Sequence, residues 1–397
     1  MQISREETAV MRITPIKGFL ALFLLWAGHS QATTITCVAS TSWPAKAEVF
    51  TLNGIISVGE DTPVGTVVYR AQLWANNMGL DCRASADESI VGTTIYLPTR
   101  VEAISTPTSV VPGVTAPSTS EVVYETNVPG IGVSVTAAGK MPYVWQTAFF
   151  RPKYATGGGG NYGATFGRFE VQLIKTGPVS PGIINAINFP QVKVTFITPT
   201  VPAELTFIGF PVPYSTVSYN GTIQIVNSTC RTEVADKVVD LGSHMVEEIK
   251  NAPLQATTWT DASLRLIGCQ FTPGFYNSKN TSIYHIGGTS NVGQGTPNAN
   301  TVRLSLSAST SVIDSLNGII ALTPAADSAT GIGIQIGVKE GTEIKPFNFN
   351  TNGVVFTPSS SESQSLEIPI FARYSATSST ITPGKANGAV VYTLNYY

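Results

Sequence analysis

Apolar and polar residues alternate with a period of two along much of this chain, and this pattern constrains its fold more than any other feature. Clear examples lie at residues 169–173, 192–196 and 302–307. Successive side chains of a β-strand point to opposite faces, so each run predicts a strand with one face on a core and the other in water. Only residues 233–250 offer a helical alternative, which Gly242 weakens. We therefore predict an all-β protein with two β-sandwich domains.

The composition favours many short strands joined by turns and argues against several classes of partner. The 397 residues include 36 Gly and 25 Pro, and only 12% are charged. The formal net charge is -2, whereas a nucleic-acid partner needs a basic face for its phosphates. The glycines at 331 and 333 are followed by Ile336 where a dinucleotide site needs a glycine. No nucleic acid and no cofactor are expected.

The N-terminus has the features of an export signal. Arg12 and Lys17 precede an apolar stretch at residues 18–27, and residues 30–32 form a small-x-small cleavage site. The apolar stretch is shorter than the roughly 20 residues that span a bilayer. Residues 1–32 are therefore predicted to be a signal peptide, with translation starting at Met1 or Met11, and the protein is expected to be secreted across the inner membrane.

Export would place the four cysteines in an oxidising compartment, where disulfides form. Four cysteines allow three pairings. The long gap between Cys82 and Cys230 favours one disulfide bond in each half of the chain, Cys37–Cys82 and Cys230–Cys269. A structural zinc site is the alternative. It is not favoured because no Cys-x-x-Cys pair is present and only two histidines follow the predicted signal peptide.

A domain boundary is predicted near residues 214–220. Pro211 and Pro213 interrupt the strand pattern just before it, and a new alternating run follows. The boundary divides the chain into a front domain, residues 33–218, and a rear domain, residues 219–397.

Four segments of the rear domain resemble the pilin domain of chaperone–usher fimbriae. Residues 220–230 and 239–242 are similar to the family's first strands around its first cysteine. Residues 264–269 are similar to the strand that carries the second cysteine. The sequence Ala-Thr-Gly-Ile-Gly-Ile-Gln-Ile at 329–336 is similar to the family's A-T-G-V-G-I-Q-L strand. The resemblance extends over nearly the whole rear domain.

The C-terminus carries the most specific part of this resemblance. Gly384 is the fourteenth residue from the end, and the aromatic Tyr396 is penultimate. Between them, Val390, Tyr392 and Leu394 alternate with the residues of the opposite strand face. This glycine spacing and penultimate aromatic residue are similar to the pilin signature.

The resemblance implies an incomplete immunoglobulin-like sandwich that lacks its last strand. In this family a periplasmic pilus chaperone lends a strand during assembly at the outer-membrane usher, and the N-terminal strand of the next fimbrial subunit then replaces it. This exchange is donor-strand complementation. The resemblance also implies that the C-terminal strand docks on the chaperone. The candidate residues for this assembly strand are Gly384, Val390, Tyr392, Leu394 and Tyr396.

The order of the domains predicts a position at the fibre tip. A shaft subunit both accepts a strand and donates one from an N-terminal extension that precedes its pilin domain. Here Cys37 lies close behind the predicted cleavage site, and a whole cysteine-bonded domain precedes the pilin domain. A subunit that accepts a strand and donates none is expected at the tip of the fimbrium, on the cell surface.

The front domain resembles two-domain fimbrial adhesins in its layout. The mannose-binding tip of type 1 fimbriae and the collagen-binding tip of type 3 fimbriae share its early disulfide, its long strand-rich body and the pilin domain that follows. The resemblance implies a lectin-like, receptor-binding domain. The mannose binder begins its mature chain with an aromatic residue of its pocket, whereas this chain is expected to begin at Thr33, which argues against mannose.

The resemblance places receptor pockets in loops at the end of the front domain that faces away from the pilin domain. Two loops match by position, residues 83–88 and residues 176–188. Arg83, Asp87 and Glu88 are the polar candidates for receptor binding, and ordinary solvated loop charge is the alternative interpretation.

Residues 141–154 form the densest aromatic stretch of the chain. Tyr143, Arg151 and Tyr154 flank its centre and are further candidates for receptor contact. The aromatic residues interpreted as core are Trp43, Trp74, Trp145 and Phe149.

No motif for catalysis stands out. Neither G-x-S-x-G nor H-E-x-x-H occurs, so the protein is predicted not to be an enzyme. The leading hypothesis is a fimbrial tip adhesin that attaches bacteria to a host glycan or matrix protein. The alternative is a minor structural or adaptor subunit that caps the fibre or initiates its assembly without binding a receptor.

Overall fold

The structure is a computed structural model, and it describes residues 33–75, 78–84, 94–117, 119–150, 159–164, 168–203, 205–277, 283–286, 293–359 and 364–397. Strands dominate these ranges, which confirms the predicted all-β fold class. Within them, none of the helices combines the length and apolar character needed to cross a bilayer. The predicted signal peptide lies outside the described residues.

Seventeen strands and one 3-10 helix, at Ala186–Asn188, lie between residues 33 and 228 of the described chain. The strands are β1 (Thr33–Ala39), β2 (Lys46–Thr51), β3 (Gly54–Gly59), β4 (Val67–Trp74), β5 (Met78–Ala84), β6 (Thr94–Ser105), β7 (Val110–Thr115), β8 (Val122–Glu125), β9 (Ile131–Ala137), β10 (Tyr143–Phe150), β11 (Gly159–Ala164), β12 (Arg168–Lys175), β13 (Gly182–Asn185), β14 (Gln191–Phe196), β15 (Leu205–Ile208), β16 (Val212–Asn220) and β17 (Thr222–Ser228).

The remaining described chain holds fourteen strands, one α-helix, α1 (Val246–Asn251), and a 3-10 helix at Pro253–Gln255. The strands are β18 (Arg231–Thr232), β19 (Thr260–Asp261), β20 (Leu264–Ile267), β21 (Ile283–Ile286), β22 (Gly293–Gln294), β23 (Val302–Ala308), β24 (Val312–Asp314), β25 (Ile319–Ile320), β26 (Ile332–Glu340), β27 (Glu343–Pro346), β28 (Val354–Phe356), β29 (Ser365–Ile368), β30 (Ile370–Ala376) and β31 (Val390–Tyr396).

Four sheets enclose the front core, a hydrophobic cluster that includes the fully buried Phe50, Tyr69, Phe169 and Phe196. Their strand orders are β11-β5-β1-β15, β10-β6-β14-β16-β2, β22-β21-β4-β12-β9-β8-β7 and β13-β17-β3. Strand β1 runs antiparallel to β5 and parallel to β15. In the β1–β5 register the two cysteines at 37 and 82 lie opposite each other, and they form the predicted disulfide bond.

Strand β12 shows how the alternation is used in the front domain. It lies between β4 and β9, and Phe169, Val171 and Leu173 are fully buried in the front core. The opposite face was predicted to lie in water, but Gln172 on that face is only 3% exposed. The prediction of a strand is confirmed, and the prediction of a solvated second face is wrong. Polar residues on this face are buried because they bond to one another, as Glu170 does with Gln172.

Three sheets enclose the rear core, a second cluster that includes Leu304, Ile336 and Ile368. Their orders are β18-β20-β29, β28-β23-β31 and β19-β30-β26-β25-β24, with β27 also paired to β26. The predicted disulfide bond between Cys230 and Cys269 is present. The helical interpretation of residues 233–250 applies only to its end, where α1 begins.

Two parts of the chain beyond the predicted boundary pair with the front sheets. Strand β17 pairs with β3 and β13, and its Ile223 and Ile225 lie in the front core. Strand β21 runs parallel to β4, and Ile283 and Tyr276 also belong to the front core. The boundary between residues 218 and 219 stays a prediction, and the two halves of the sequence share sheets across it.

Candidate functional site

The last strand, β31, is paired along one edge only within the part of the chain that the structure describes. Its partner on that edge is β23. Just beyond these strands, Thr301 and Tyr397 exchange two backbone hydrogen bonds of 2.7 and 2.9 Å. Bonded and non-bonded pairs alternate in an antiparallel ladder, so the next pair, Val302 and Tyr396, does not exchange such bonds. The backbone groups of every second residue of β31 therefore point to its other edge.

A groove of about 540 Å³ lies beside this other edge. Residues 235–241 line it on one side, and residues 386–390 with Tyr392 line it on the other. The rest of the lining consists mostly of apolar side chains, namely Ala262, Leu264, Leu306, Ile320, Ile334, Ile336, Ile370, Ala372 and Tyr374. An apolar floor beside an unpaired strand edge is suited to binding a further strand, because backbone groups and side-chain pockets are both available.

The wall opposite β31, residues 235–241, has no regular secondary structure and belongs to none of the described strands. Val238 at its centre is 93% exposed. The wall is tied to β31 by the Tyr392 hydroxyl, which donates a hydrogen bond of 2.8 Å to the Ala235 carbonyl. An apolar residue this exposed, next to an apolar groove, fits a wall that lacks a neighbour in the free chain.

His244 anchors the C-terminal end of this wall. Its ring nitrogens lie 2.9 Å from the Leu241 carbonyl oxygen and 3.1 Å from a carboxylate oxygen of Glu248. The hydrogen bond to Leu241 and the interaction with Glu248 raise the pKa of His244 above its ordinary value. The protonated form donates to both oxygens, so protonation strengthens the link between the wall and α1.

Gly384 lies where the chain passes close to another backbone segment before β31 begins. A Cβ atom at this position would lie 2.4 Å from the Ala329 backbone nitrogen. The following residue, Lys385, donates its N–H to Asp327 and accepts from Ala329, at 2.7 and 2.9 Å. Only glycine allows this close approach.

The predicted assembly residues of β31 all contact the rear core. Val390, Tyr392 and Leu394 are half-buried, and Tyr396 is 9% exposed. Their docking on a chaperone stays a prediction. The floor and the opposite wall of the groove were not predicted from the sequence. The alternation of Ile332, Ile334 and Ile336 was a usable signal for the floor, and the similarity of residues 239–242 to the family's first strands was a signal for part of the wall.

The candidate receptor residues are placed only in part. Arg83 is exposed at the end of β5, and Tyr143 is half-buried on β10, where its ring stacks on Trp145 at 5.8 Å. These two strands belong to different sheets. A hydrogen bond from the Thr41 backbone lowers the pKa of Asp81, with a smaller contribution from the charge of Arg83. Asp87, Glu88, Arg151 and Tyr154 lie outside the described residues, so their role stays a prediction.

Two expectations about the front domain are wrong. The loop at 176–188 was expected at the end far from the rear domain, but it begins beside the junction of the two domains. Lys175, just before it, donates to the carbonyls of Gly59 and Glu60, and the next residue, Asp61, bonds to Tyr396 of the rear domain. Trp43 was interpreted as core, yet it is 36% exposed.

The remaining aromatic residues are only partly core. Trp74 is half-buried, with the Arg168 guanidinium 5.7 Å from its ring centre, and Trp145 packs at the margin of the front core. The side chain of Phe149 lies outside the described residues. Among the described residues, no group of three or more His, Cys, Asp or Glu side chains is arranged to hold a metal ion.

The fold and the groove define an all-β protein whose C-terminal region ends in a strand with one open edge. Residues 217–397 match the sequence profile of the fimbrial protein family, so this region is a fimbrial domain. The resemblance predicted for the rear domain is confirmed. Among curated proteins, none matches the sequence closely enough to count as a relative.

Several solved structures are similar over long stretches at low identity. The CupB6 tip adhesin from Pseudomonas aeruginosa is 14% identical, with 92% of this chain and 93% of that chain covered and a TM-score of 0.31. The CsuC–CsuE chaperone–tip adhesion subunit complex from Acinetobacter baumannii gives 14% identity, 88% and 99% coverage and a TM-score of 0.22. A type I fimbria protein from Burkholderia pseudomallei gives 19% identity, 43% and 89% coverage and a TM-score of 0.24.

Proposed function

We propose that the protein is the tip adhesin of a fimbrium built by the chaperone–usher route. In this proposal the groove of the rear domain accepts a strand from the next subunit, and the front domain binds a receptor on a host or surface. The observation that carries the proposal is the open edge of β31 above an apolar groove, in a region that belongs to the fimbrial family.

The groove offers both backbone partners and apolar surface to an incoming strand. Its floor includes Leu306, Ile334 and Ile336, which lie below the open edge. Each apolar side chain that an incoming strand buries contributes about 1.5–3 kcal/mol before the cost of ordering that strand. A strand with apolar residues at alternate positions matches this arrangement, since its other side chains would remain in water. A periplasmic chaperone and the next subunit are the proposed donors, with the usher as the site of exchange.

The position of β1 supports a tip location. Residues Thr33–Ala39 pair with β5 on one side and with β15 on the other, and Cys37 is bonded to Cys82. This strand is integrated into the front domain and is therefore not free to enter the groove of another subunit. The subunit accepts a strand without using β1 as a donor, which fits a place at the distal end of the fibre.

Receptor binding by the front domain is proposed without catalysis. Arg83 is the exposed charged candidate of the described chain, and Tyr143 stacks on Trp145 at the start of β10. Exposed charge and aromatic rings are the groups by which glycans and matrix proteins are bound. The protein acts outside the cell in this proposal, after export through the periplasm.

The assembly half of the proposal is tested with a strand peptide and the full chain. The probe is a labelled peptide of about ten residues with valine or isoleucine at alternate positions. Its control has the same composition with the apolar residues grouped together. We expect saturable binding of the first peptide and none of the second. Equal binding of both, or of neither, contradicts the groove as a strand acceptor.

The adhesin half is tested with the peptide-bound full chain on an array of glycans and matrix proteins, together with a strain that lacks the gene. A tip adhesin binds at least one receptor class, and its loss abolishes attachment while fibres remain. An adaptor binds nothing on the array, and its loss reduces the number of fibres. No binding together with unchanged attachment overturns the proposed receptor function.

A further inference from the structure

Among the described residues, Asp61 of the front domain is hydrogen-bonded to the open edge of β31 at Tyr396. The Asp61 backbone N–H donates to the Tyr396 carbonyl at 2.9 Å. The Tyr396 N–H donates to the Asp61 carboxylate at 2.8 Å. The ring of Tyr396 is buried in the rear core, which also fixes this residue in place. Both backbone groups of this residue are therefore satisfied by Asp61, which belongs to the other half of the chain.

These two hydrogen bonds use the edge that faces the groove. Tyr397 exchanges its backbone bonds with Thr301 on the β23 side, so the backbone groups of the preceding residue point the opposite way. By the same alternation the outward-pointing residues of β31 are Val390, Tyr392, Leu394 and Tyr396. The last of these four positions is already paired in the free chain.

The turn that carries Asp61 is fixed from the front domain. We call residues 59–61 the junction turn. Lys175, which is 2% exposed, donates from Nζ to the carbonyls of Gly59, at 3.1 Å, and of Glu60. Burial lowers the pKa of Lys175, and the charges of Asp61 and Glu60 act in the opposite direction. A buried ammonium that donates to two carbonyls of one turn holds that turn in place.

Glycine is required where the junction turn meets β31. A Cβ atom at Gly59 would lie 2.3 Å from the Tyr396 carbonyl oxygen and 2.7 Å from the Tyr397 nitrogen. The absence of a side chain lets the front domain approach the backbone at the end of the strand. Close packing, two hydrogen bonds between Asp61 and the Tyr396 backbone, and a buried lysine thus converge on one contact.

We infer that the junction turn caps the acceptor groove, so that an incoming strand pairs with β31 at Val390, Tyr392 and Leu394 and stops before Tyr396. The inference rests on the proposed strand-accepting function of the groove. It assigns Asp61 a role in specificity, since the cap sets where the incoming strand ends. The preferred partner is an extended segment that pairs with Val390, Tyr392 and Leu394. Its apolar residues stand at every second position, about 7 Å apart along the strand.

The cap is tested by hydrogen exchange of single backbone amides in the full chain, with and without the alternating peptide. In the free chain we expect slow exchange at Tyr396 and fast exchange at Tyr392 and Leu394. Saturating peptide should slow Tyr392 and Leu394 by about tenfold or more and leave Tyr396 unchanged.

Three substitutions separate the cap from a general loss of stability. Asp61→Ala should speed exchange at Tyr396 about tenfold or more, and Asp61→Asn, which keeps an acceptor, should restore part of the protection. Asp314→Ala is the matched control, because Asp314 accepts backbone N–H bonds in an exposed turn of the rear domain. It should leave Tyr396 unchanged.

The outcomes distinguish the cap from the groove. If the peptide protects no residue of β31, the strand-accepting function fails. If it protects Tyr392 and Leu394 but speeds or removes the protection of Tyr396, the incoming strand displaces the junction turn and the cap is overturned while the groove stands. Fast exchange at Tyr396 in the free wild-type chain also overturns the cap.

Discussion

The front and rear regions have the same class of fold, but they differ in how far each strand is enclosed. In the front domain β12 is paired on both sides, and its burial is nearly continuous from Val171 to Lys175. In the rear domain β31 is paired on one side, and among its residues only Tyr396 is buried. Each region has one disulfide bond, so the difference lies in the sheets. From this difference we propose that the rear core depends on a neighbour in a way the front core does not.

Removal of β31 is the most severe test of this comparison. Deleting residues 390–397 exposes the partners of the strand on β23 and opens the rear core to water. Because several apolar side chains lose burial at once, we expect degradation of the protein in the periplasm. The amount of full-length protein in periplasmic extracts measures the effect. Stable truncated protein at wild-type levels would count against the fimbrial interpretation of the rear domain.

The two disulfide bonds sharpen the comparison next. They join residues separated by 45 and 39 positions, so their entropic effects on the unfolded chain are similar. Removing either by a double Cys→Ala substitution should cost about 2–5 kcal/mol of stability. We expect loss of Cys230–Cys269 to reduce the yield of folded protein more than loss of Cys37–Cys82, since the rear core buries less. Equal yields would show that the rear core is as self-sufficient as the front.

A matched pair of leucines tests the same difference at single residues. Leu73 is fully buried in the front core, and Leu306 lies in the floor of the groove. Leu73→Ala should destabilise the protein by about 2–5 kcal/mol. The destabilisation caused by Leu306→Ala should lie near the lower limit of this range, because the space that the side chain leaves joins a groove that is already open. Hydrogen exchange of β12 and β23 reports each effect, and a larger cost for Leu306→Ala would contradict an open groove.

The smallest expected effect is a pH dependence of the link that His244 makes between the groove wall and α1. The pKa of His244 is raised in the folded protein, so its contribution is present below its ordinary value of 6.5 and is lost as pH rises through the raised pKa. We expect exchange in α1, corrected for intrinsic rates, to become faster on going from about pH 6 to about pH 8. His244→Asn should abolish this dependence, and β12 should show none. A pH dependence that survives the substitution would exclude His244 as its source.

The sequence predicted the parts of the fold that depend on local patterns. Alternation at residues 169–173 and 302–307 identified β12 and β23, and the spacing of the four cysteines identified both disulfide bonds. Such features depend on neighbours along one chain segment. The burial of Gln172 was not predictable in this way, because it follows from polar contacts with other residues of the sheet.

The candidate site was predictable only along the strand that forms one wall. Val390, Tyr392 and Leu394 were identified from their spacing and their distance from the C-terminus. The opposite wall is far from β31 in the sequence, since Ala235 and Tyr392 are 157 positions apart. Asp61 and Tyr396 are 335 positions apart. No periodicity within a segment encodes such a contact, so the junction turn carries no recognisable signal of its own.

The most direct measurement of the central claim compares the exchange of β26 and β12 amides in the full chain as the alternating strand peptide is added. β26 forms the floor of the groove through Ile334 and Ile336, and β12 lies in the front core. We predict lower protection of β26 in the free chain, and a rise with peptide that leaves β12 unchanged. Protection of β26 that equals that of β12 in the free chain and does not respond to saturating peptide would contradict an incomplete rear sandwich.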